Sequence, residues 1–330
     1  MEVNNLALSL VVPIYNEEKN ILSLYQRITD VLEAGPLDYR TSYEIILVDD
    51  GSQDGSFAVS VAIVQRDPRV RVVQFRRNFG KTAALHAGFS LVRGARVVTI
   101  DADMQEDPGE MFRLLERLDS GYDVVSAWRK TRNDPLLKTL LSQVFNIVVA
   151  RLSRIPLHDF NCGFKAYSGA AVYDLRVRLY GELHRFIPLL AHQQGFRVTE
   201  VAVAHQPRRF GKSKFGNGRL LNGYLDFTQV LFLTTFLHRP LRLFGLVGTI
   251  FFAFGLIISI HLSWLWLLGE AIGHRPLLIL GVLLLITGLQ SISTGLLGEM
   301  LRNSTFRSGD EYSIRRIVSH DAQDELPPDK

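Results

Sequence analysis

The sequence predicts an α/β head built on a doubly wound, mostly parallel sheet, followed by a juxtamembrane helix and a two-helix transmembrane hairpin. Three observations predict it. Short β-favouring runs alternate with helical patterns through the first half of the chain, at the spacing of a parallel sheet. Each of the first four runs ends in a polar cluster, where α/β folds place their ligands. Toward the other end, residues 243–268 and 277–297 form runs of 26 and 21 residues without Lys, Arg, Asp or Glu.

The first strand is Leu8-Ser9-Leu10-Val11-Val12, ending at Pro13-Ile14-Tyr15-Asn16-Glu17-Glu18. Asn16 is expected to cap a helix over 17–32, with acids in its first turn as the helix dipole prefers. Glu44-Ile45-Ile46-Leu47-Val48 is a second strand, stopping at Asp49-Asp50-Gly51-Ser52-Gln53-Asp54-Gly55, an acidic turn that opens a helix over 56–65. Residues 70–75 form a third strand, followed by Arg76-Arg77-Asn78-Phe79-Gly80-Lys81 and a helix through Leu91. Lys81 reads as a helix-start residue that only neighbours the site.

The fourth strand, 96–100, runs straight into Asp101-Ala102-Asp103-Met104-Gln105. Residues i and i+2 of an extended chain point the same way, so Asp101 and Asp103 can face one ligand. Two hard oxygen donors at a strand end suit Mg²⁺ or Mn²⁺, which takes its remaining ligands from phosphate and water. The plainer reading is a turn, with an Asp capping the helix that begins near Pro108.

Beyond it, 108–118 reads as a helix and 122–127 as a strand ending at Trp128-Arg129-Lys130. Residues 136–152 are apolar at helical spacing. His158-Asp159-Phe160-Asn161-Cys162-Gly163-Phe164-Lys165 reads as a polar turn, in which Asp159 is either a site carboxylate or a turn former. Residues 196–203 form a last strand. The stretch 208–219 then holds five cations, three glycines and no acid, a loop beside a membrane anchor, where cations meet lipid phosphates. Residues 218–237 mix apolar and polar types and read as a helix lying along the bilayer interface.

Several classes drop out. No G-x-G-x-x-G follows a strand and no G-x-x-x-x-G-K-[ST] occurs, against a dinucleotide dehydrogenase and a P-loop NTPase. The single cysteine, Cys162, excludes an intramolecular disulfide and a zinc cluster. A net charge of +4 suits anionic lipid or a phosphorylated substrate; nucleic acid is disfavoured, because the cations sit beside the apolar runs and not on an aromatic-laced face. No cleavable signal peptide is expected at the start.

Either long run spans a hydrocarbon core of about 30 Å at 1.5 Å per residue. Arg239 and Arg242 precede the first and Arg302 and Arg307 follow the second, whereas the turn holds Arg275 and His274 against Glu270. The positive-inside bias therefore predicts an integral inner-membrane protein with the head and both chain ends in the cytoplasm. The expected divisions are a head over 1–217, an interfacial helix and linker over 218–240, spans at 243–268 and 277–299 within 241–300, and a tail over 301–330.

The order Pro13-x-Tyr15-Asn16-Glu17, Asp49-Asp50-Gly51-Ser52, Asp101-x-Asp103-x-Gln105, Arg129 and Arg209-x-Gly211-x-Ser213-Lys214 resembles the family 2 glycosyltransferases with a GT-A fold. With the trailing hairpin, the chain is similar to their polyprenyl-phosphate branch, the dolichyl-phosphate mannosyltransferase and bactoprenol glucosyltransferase type. The resemblance implies that Pro13, Tyr15, Glu17, Val48, Asp50 and Ala102 hold the nucleotide-sugar, with Asp50 accepting from the base. It implies that Asp101, Asp103 and Gln105 hold a divalent metal on the donor diphosphate. Arg209 and Lys214 would bind donor phosphate, and Arg129, Lys212 and Lys214 acceptor phosphate. Asp101, Asp103, Asp159 and Arg129 are the candidate catalytic set. Processive polysaccharide synthases carry Gln-x-x-Arg-Trp, and no Arg-Trp dipeptide occurs among Trp128, Trp264 and Trp266, which favours transfer of a single sugar.

The expected reaction is inverting transfer of glucose from UDP-glucose to undecaprenyl phosphate. Mannose, an aminoarabinose-type sugar or a hydroxyl acceptor are the alternatives, with a non-catalytic nucleotide-binding scaffold the remotest. Oligomeric state is left open.

Overall fold

The computed structural model describes residues 6–130, 150, 155–177, 179, 181, 183–204, 240–271 and 276–305. The chain divides into two units, Met1–Leu225 and Asp226–Lys330. Apart from Ala150 and Pro240, the apolar stretch at 136–152, the basic loop at 208–219 and the interfacial helix at 218–240 lie outside the described residues, as does the tail beyond Thr305.

In the first unit, β1 (Leu6–Ile14), α1 (Glu18–Ala34), a short α2 (Leu37–Thr41), β2 (Tyr43–Asp49), α3 (Ser56–Val64), β3 (Val70–Gln74), α4 (Lys81–Phe89) and β4 (Gly94–Thr99) follow in order. A 3₁₀ turn, Pro108–Glu110, leads into α5 (Met111–Asp119) and β5 (Val124–Arg129). Then come β6 (Lys165–Ser168), α6 (Gly169–Arg176), α7 (Ile187–Gln193) and β7 (Val198–Val203). The strands form one seven-stranded sheet in the order β3-β2-β1-β4-β6-β5-β7. All pairings are parallel except those of β6, which runs antiparallel to both β4 and β5.

Period-2 alternation explains how both sheet faces are covered. The even residues of β1, Leu8, Leu10, Val12 and Ile14, share a core cluster with Ile21, Leu24, Ile28 and Leu32 of α1 and with Met111, Leu114, Leu115 and Leu118 of α5. Burying each such side chain contributes about 1.5–3 kcal/mol. Val11 points the other way, toward α4, where Gly88 comes so close that a Cβ would lie 2.3 Å from its Cγ1. β2, closed in on both faces, is buried at every position.

Three local expectations change. Asn16 does not cap α1: its φ is 52°, and its Oδ1 accepts from the Gln53 N–H at 2.8 Å instead. The turn read at 158–165 ends in β6, a strand whose buried Lys165 breaks the apolar pattern that would have announced it. The helix expected from 108 opens with the 3₁₀ turn, where the Asp107 side chain accepts from the Gly109 N–H.

The second unit holds α8 (Pro240–Leu267) and α9 (Pro276–Thr305), both long and apolar enough to cross a membrane. α8 starts three residues before the first uncharged run, and α9 continues eight residues past the second. Glycines seven residues apart bring them together: a Cβ on Gly248 would lie 2.7 Å from the Gly288 carbonyl oxygen, and one on Gly255 2.8 Å from that of Gly281.

Candidate active site

The carboxyl ends of β1, β2 and β4 and the start of α4 surround a cleft of about 250 Å³. Pro13, Tyr15, Glu17 and Asp50 line one part of it, and Lys81, Asp101, Ala102 and Asp103 another.

The first part is held by two loops bonded to each other. The Asn16 N–H donates to Ser52 Oγ and the Glu17 N–H to Ser56 Oγ, both at 2.9 Å. Asp50 reaches across to the loop after β3, accepting from the N–H groups of Phe79 at 2.7 Å and Gly80 at 2.9 Å. Burial raises the Asp50 carboxyl above its ordinary value, against the pull of those two donors. Gly51 is required beside it: its φ is +70°, and a Cβ there would meet the Arg77 carbonyl carbon at 2.3 Å.

The second part follows β4. Asp101 receives Lys81 Nζ on Oδ1 at 2.5 Å. Burial alone would raise the Asp101 carboxyl, but Lys81, together with Lys165 and Arg129 nearby, holds it low. Asp103, at 8% exposure, accepts from the Gln105 N–H at 3.3 Å, and Met104 between them takes a φ of 60°. Such a value is unusual for a side-chain-bearing residue and turns the chain sharply beneath the cleft. Glu106 is buried, and burial, with Asp101 and Asp103 nearby, pushes its carboxyl up to about 8.

Among the described residues, no three His, Cys, Asp or Glu side chains gather as a closed metal cage. The residues present fit a different kind of site. Mg²⁺ and Mn²⁺ bind through one or two carboxylates and complete their shell with phosphate oxygens and water. Asp101 and Asp103, two hard donors lining one cleft, have that character.

Arg129 and Asp159 form a bidentate pair, Nε to Oδ2 at 2.8 Å and Nη2 to Oδ1 at 3.3 Å. Asp159 is wholly buried and also accepts from the Asn161 N–H. The turn from Asp159 to β6 is fastened at further points. Thr99 Oγ1 donates to the Gly163 carbonyl at 2.8 Å, and Lys165 Nζ donates to the Cys162 carbonyl. Burial lowers the Lys165 ammonium to about 8 and pushes the Cys162 thiol up to about 12.

Of the residues expected from the sequence, Pro13, Tyr15, Glu17, Asp50, Asp101, Ala102 and Asp103 come together around the cleft. Val48 does not line it, being wholly buried within β2. Gln105, Arg129 and Asp159 also lie outside the cleft lining. Arg209, Lys212 and Lys214 fall outside the described residues. Lys81 lines the cleft without having been selected from the sequence, and Glu106, Gly163 and Lys165, outside the lining, lie beside Asp101. Only Lys81 carried a signal, as a cation placed directly after a strand-end cluster.

Residues 9–175 match the family model described as glycosyl transferase family 2. The chain is 36% identical to dodecaprenyl-phosphate galacturonate synthase of Rhizobium johnstonii, over 97% of this chain and 96% of that protein. It is 38% identical to undecaprenyl-phosphate 4-deoxy-4-formamido-L-arabinose transferase of Pseudomonas aeruginosa, over 94% and 90%. Among solved structures it resembles glucosyl-3-phosphoglycerate synthase of Mycobacterium tuberculosis in complex with Mn²⁺, UDP and phosphoglyceric acid. That likeness has a TM-score of 0.51 at 19% identity, over 69% of this chain and 78% of the other, and it shows a shared GT-A fold.

Proposed function

The chain belongs to glycosyl transferase family 2, and from that premise we propose that it transfers one sugar from a nucleotide-sugar to the phosphate of a membrane polyprenyl lipid. The observation that carries the reading is a coincidence within one chain. A carboxylate-lined cleft suited to a metal diphosphate accompanies two helices long enough to cross a bilayer. Alignment with both polyprenyl-phosphate enzymes runs through head and hairpin alike, over 97% and 94% of the chain.

Glucose, the sugar expected from the sequence, finds no support in those relatives, whose names carry galacturonate and 4-deoxy-4-formamido-L-arabinose. We infer a donor of the uronate or 4-amino-4-deoxypentose class. The head and both chain ends are proposed to face the cytoplasm, where nucleotide-sugars are made.

Asp101 and Asp103 would hold the divalent ion, Mg²⁺ or Mn²⁺. When bound, such an ion supplies positive charge to the departing diphosphate. Tyr15, Glu17 and Asp50 line the part of the cleft assigned to the nucleoside, and the Asp50 bonds to Phe79 and Gly80 keep its wall closed. The acceptor oxygen needs no strong base, because a phosphate monoester with a second pKa of about 6 is already largely ionised at pH 7. It would attack the anomeric carbon from the face opposite the diphosphate, inverting the configuration. Asp159 is assigned as the counter-ion that fixes Arg129, and not as a proton acceptor, since the guanidinium engages both of its oxygens. Arg209, Lys212 and Lys214 would meet the phosphates of donor and acceptor.

The test is a panel of labelled nucleotide-sugars offered with undecaprenyl phosphate in detergent. A UDP-uronate or UDP-4-formamidopentose should yield a lipid-linked product at least about tenfold faster than UDP-glucose, a discrimination of about 1.4 kcal/mol. Asp103→Ala should lower that rate about a hundredfold or more with the fold retained. Transfer to a hydroxyl acceptor, with no lipid product from any donor, overturns the reading.

A further inference from the structure

The antiparallel pairing of β4 with β6 sets Thr99 opposite Lys165. Continued past the ends of both strands, two residues forward from Thr99 and two back from Lys165, that register brings position 163 opposite Asp101. Residues directly opposite in an antiparallel pair share a face, so a side chain at 163 would project onto Asp101. The residue there is glycine. A Cβ built on Gly163 would lie 2.3 Å from Asp101 Oδ2, 2.4 Å from Oδ1 and 2.5 Å from Cγ. These three nearest atoms all belong to one carboxylate, so a methyl group here would collide first with Asp101. Lys81 Nζ holds the same carboxylate at 2.5 Å. Thr99, the last residue of β4 and two before Asp101, ties down the Gly163 carbonyl at 2.8 Å.

We propose that Gly163 is a positioning residue for Asp101: its bare α-carbon is the wall against which the carboxylate rests, and it sets where that carboxylate meets Lys81 and the donor's metal diphosphate. The inference rests on the metal-diphosphate reading given above, and extends it to a residue that bears no functional group. Glycine is not required here for a left-handed backbone; the requirement is the missing side chain. Substitution by alanine therefore displaces one carboxylate by a distance comparable to a bond length, a more selective change than deleting the aspartate.

The experiment is a double-variant cycle on the full chain in detergent, with Gly163→Ala, Asp101→Gly and their combination. Thermal melting without metal reads the contact itself. Gly163→Ala should lower the melting temperature by several degrees in the native background and leave it nearly unchanged in the Asp101→Gly background, where the obstructing carboxylate is gone. An equal drop in both backgrounds, or failure of both alanine variants to fold, overturns the proposal.

Mn²⁺ titration in the presence of UDP, followed by the electron paramagnetic resonance of free Mn²⁺, reads the consequence. Gly163→Ala should weaken metal binding about 10- to 100-fold, the range seen when groups that orient metal ligands are altered. Native affinity in Gly163→Ala, alongside a loss in Asp103→Ala, overturns the positioning role while leaving the metal reading intact. Native affinity in Asp103→Ala sinks the metal reading instead, and the melting cycle then decides the Gly163–Asp101 contact alone.

Discussion

The head and the hairpin both pack tightly against glycines, but what each encloses differs. The head buries charge. Asp159 and Glu44 are wholly inaccessible, Glu44 accepting from Ser9, Arg71 and Arg93 at the amino-terminal edge of the sheet. The hairpin buries backbone, through Gly248, Gly255, Gly281 and Gly288 at seven-residue intervals. The difference fits the surroundings proposed for each unit, water for the head and lipid for the hairpin. In water, apolar burial supplies the free energy, and a charge can be enclosed if it is paired. In lipid, helices gain little from hiding apolar side chains from apolar tails, so association relies on close van der Waals contact, which glycine permits.

The largest effect should come from unpairing a buried charge. Asp159→Ala leaves the Arg129 guanidinium, with a side chain 19% exposed, without the carboxylate that holds it. Removing one partner of a buried pair costs about 3–5 kcal/mol. Cys162, the single cysteine and wholly buried, reports on the head alone, since its thiol reacts only once the head opens. Urea titration of thiol labelling should show that loss in Asp159→Ala. If labelling is unchanged while transfer disappears, Asp159 is a catalytic carboxylate and the pairing argument fails.

A smaller effect should appear in the other unit. Leucine in place of Gly288 puts a Cβ 2.5 Å from the Phe252 backbone nitrogen, which cannot move aside as a side chain can. Overpacking of this kind costs about 1–3 kcal/mol. Gly288→Leu should lose helix signal at lower SDS concentration than the native chain, with Cys162 as protected as before. Native resistance to SDS would mean that the glycine contacts do not hold the hairpin.

The same contrast explains what could be read from the sequence. Strands β1 to β4 are legible because their interiors are apolar and each ends in a polar cluster. The spans are legible because length and the lack of charge suffice. β6 is not, because Lys165 and Ser168 occupy two of its four positions, and only the fold shows that the lysine is enclosed. Gly163 could not be singled out either, since its role depends on a register between strands more than sixty residues apart. The Asp101–Lys81 pair is likewise tertiary: the motif shows two carboxylates, and the cation that meets one of them starts a helix twenty residues earlier. The seven-residue glycine spacing of the hairpin, by contrast, stands in the sequence itself, within runs that hydropathy alone explains.

The smallest effect is the response of the head to acid. His184 lies against α4, its Nδ1 2.8 Å from Thr82 Oγ1, and burial, with Lys81 and Arg185 nearby, lowers it from 6.5 to about 3. Between those values the unfolded chain takes up a proton that the folded head refuses, so His184 makes stability fall as pH drops through this window. Glu106 acts with the opposite sign. Raised from 4.5 to about 8, it is protonated in the folded head first, and makes stability rise as pH drops from 8 toward 4.5. From 6.5 down to 4.5 the two oppose each other; from 8 down to 6.5 Glu106 acts without His184. His184→Gln removes one side of the balance while keeping an acceptor for Thr82. The variant should therefore gain stability relative to the native chain as pH is lowered from 6.5 to 4.5, measured by Cys162 protection in urea with chelator present. Parallel pH profiles for variant and native chain would show that His184 does not carry the acid response.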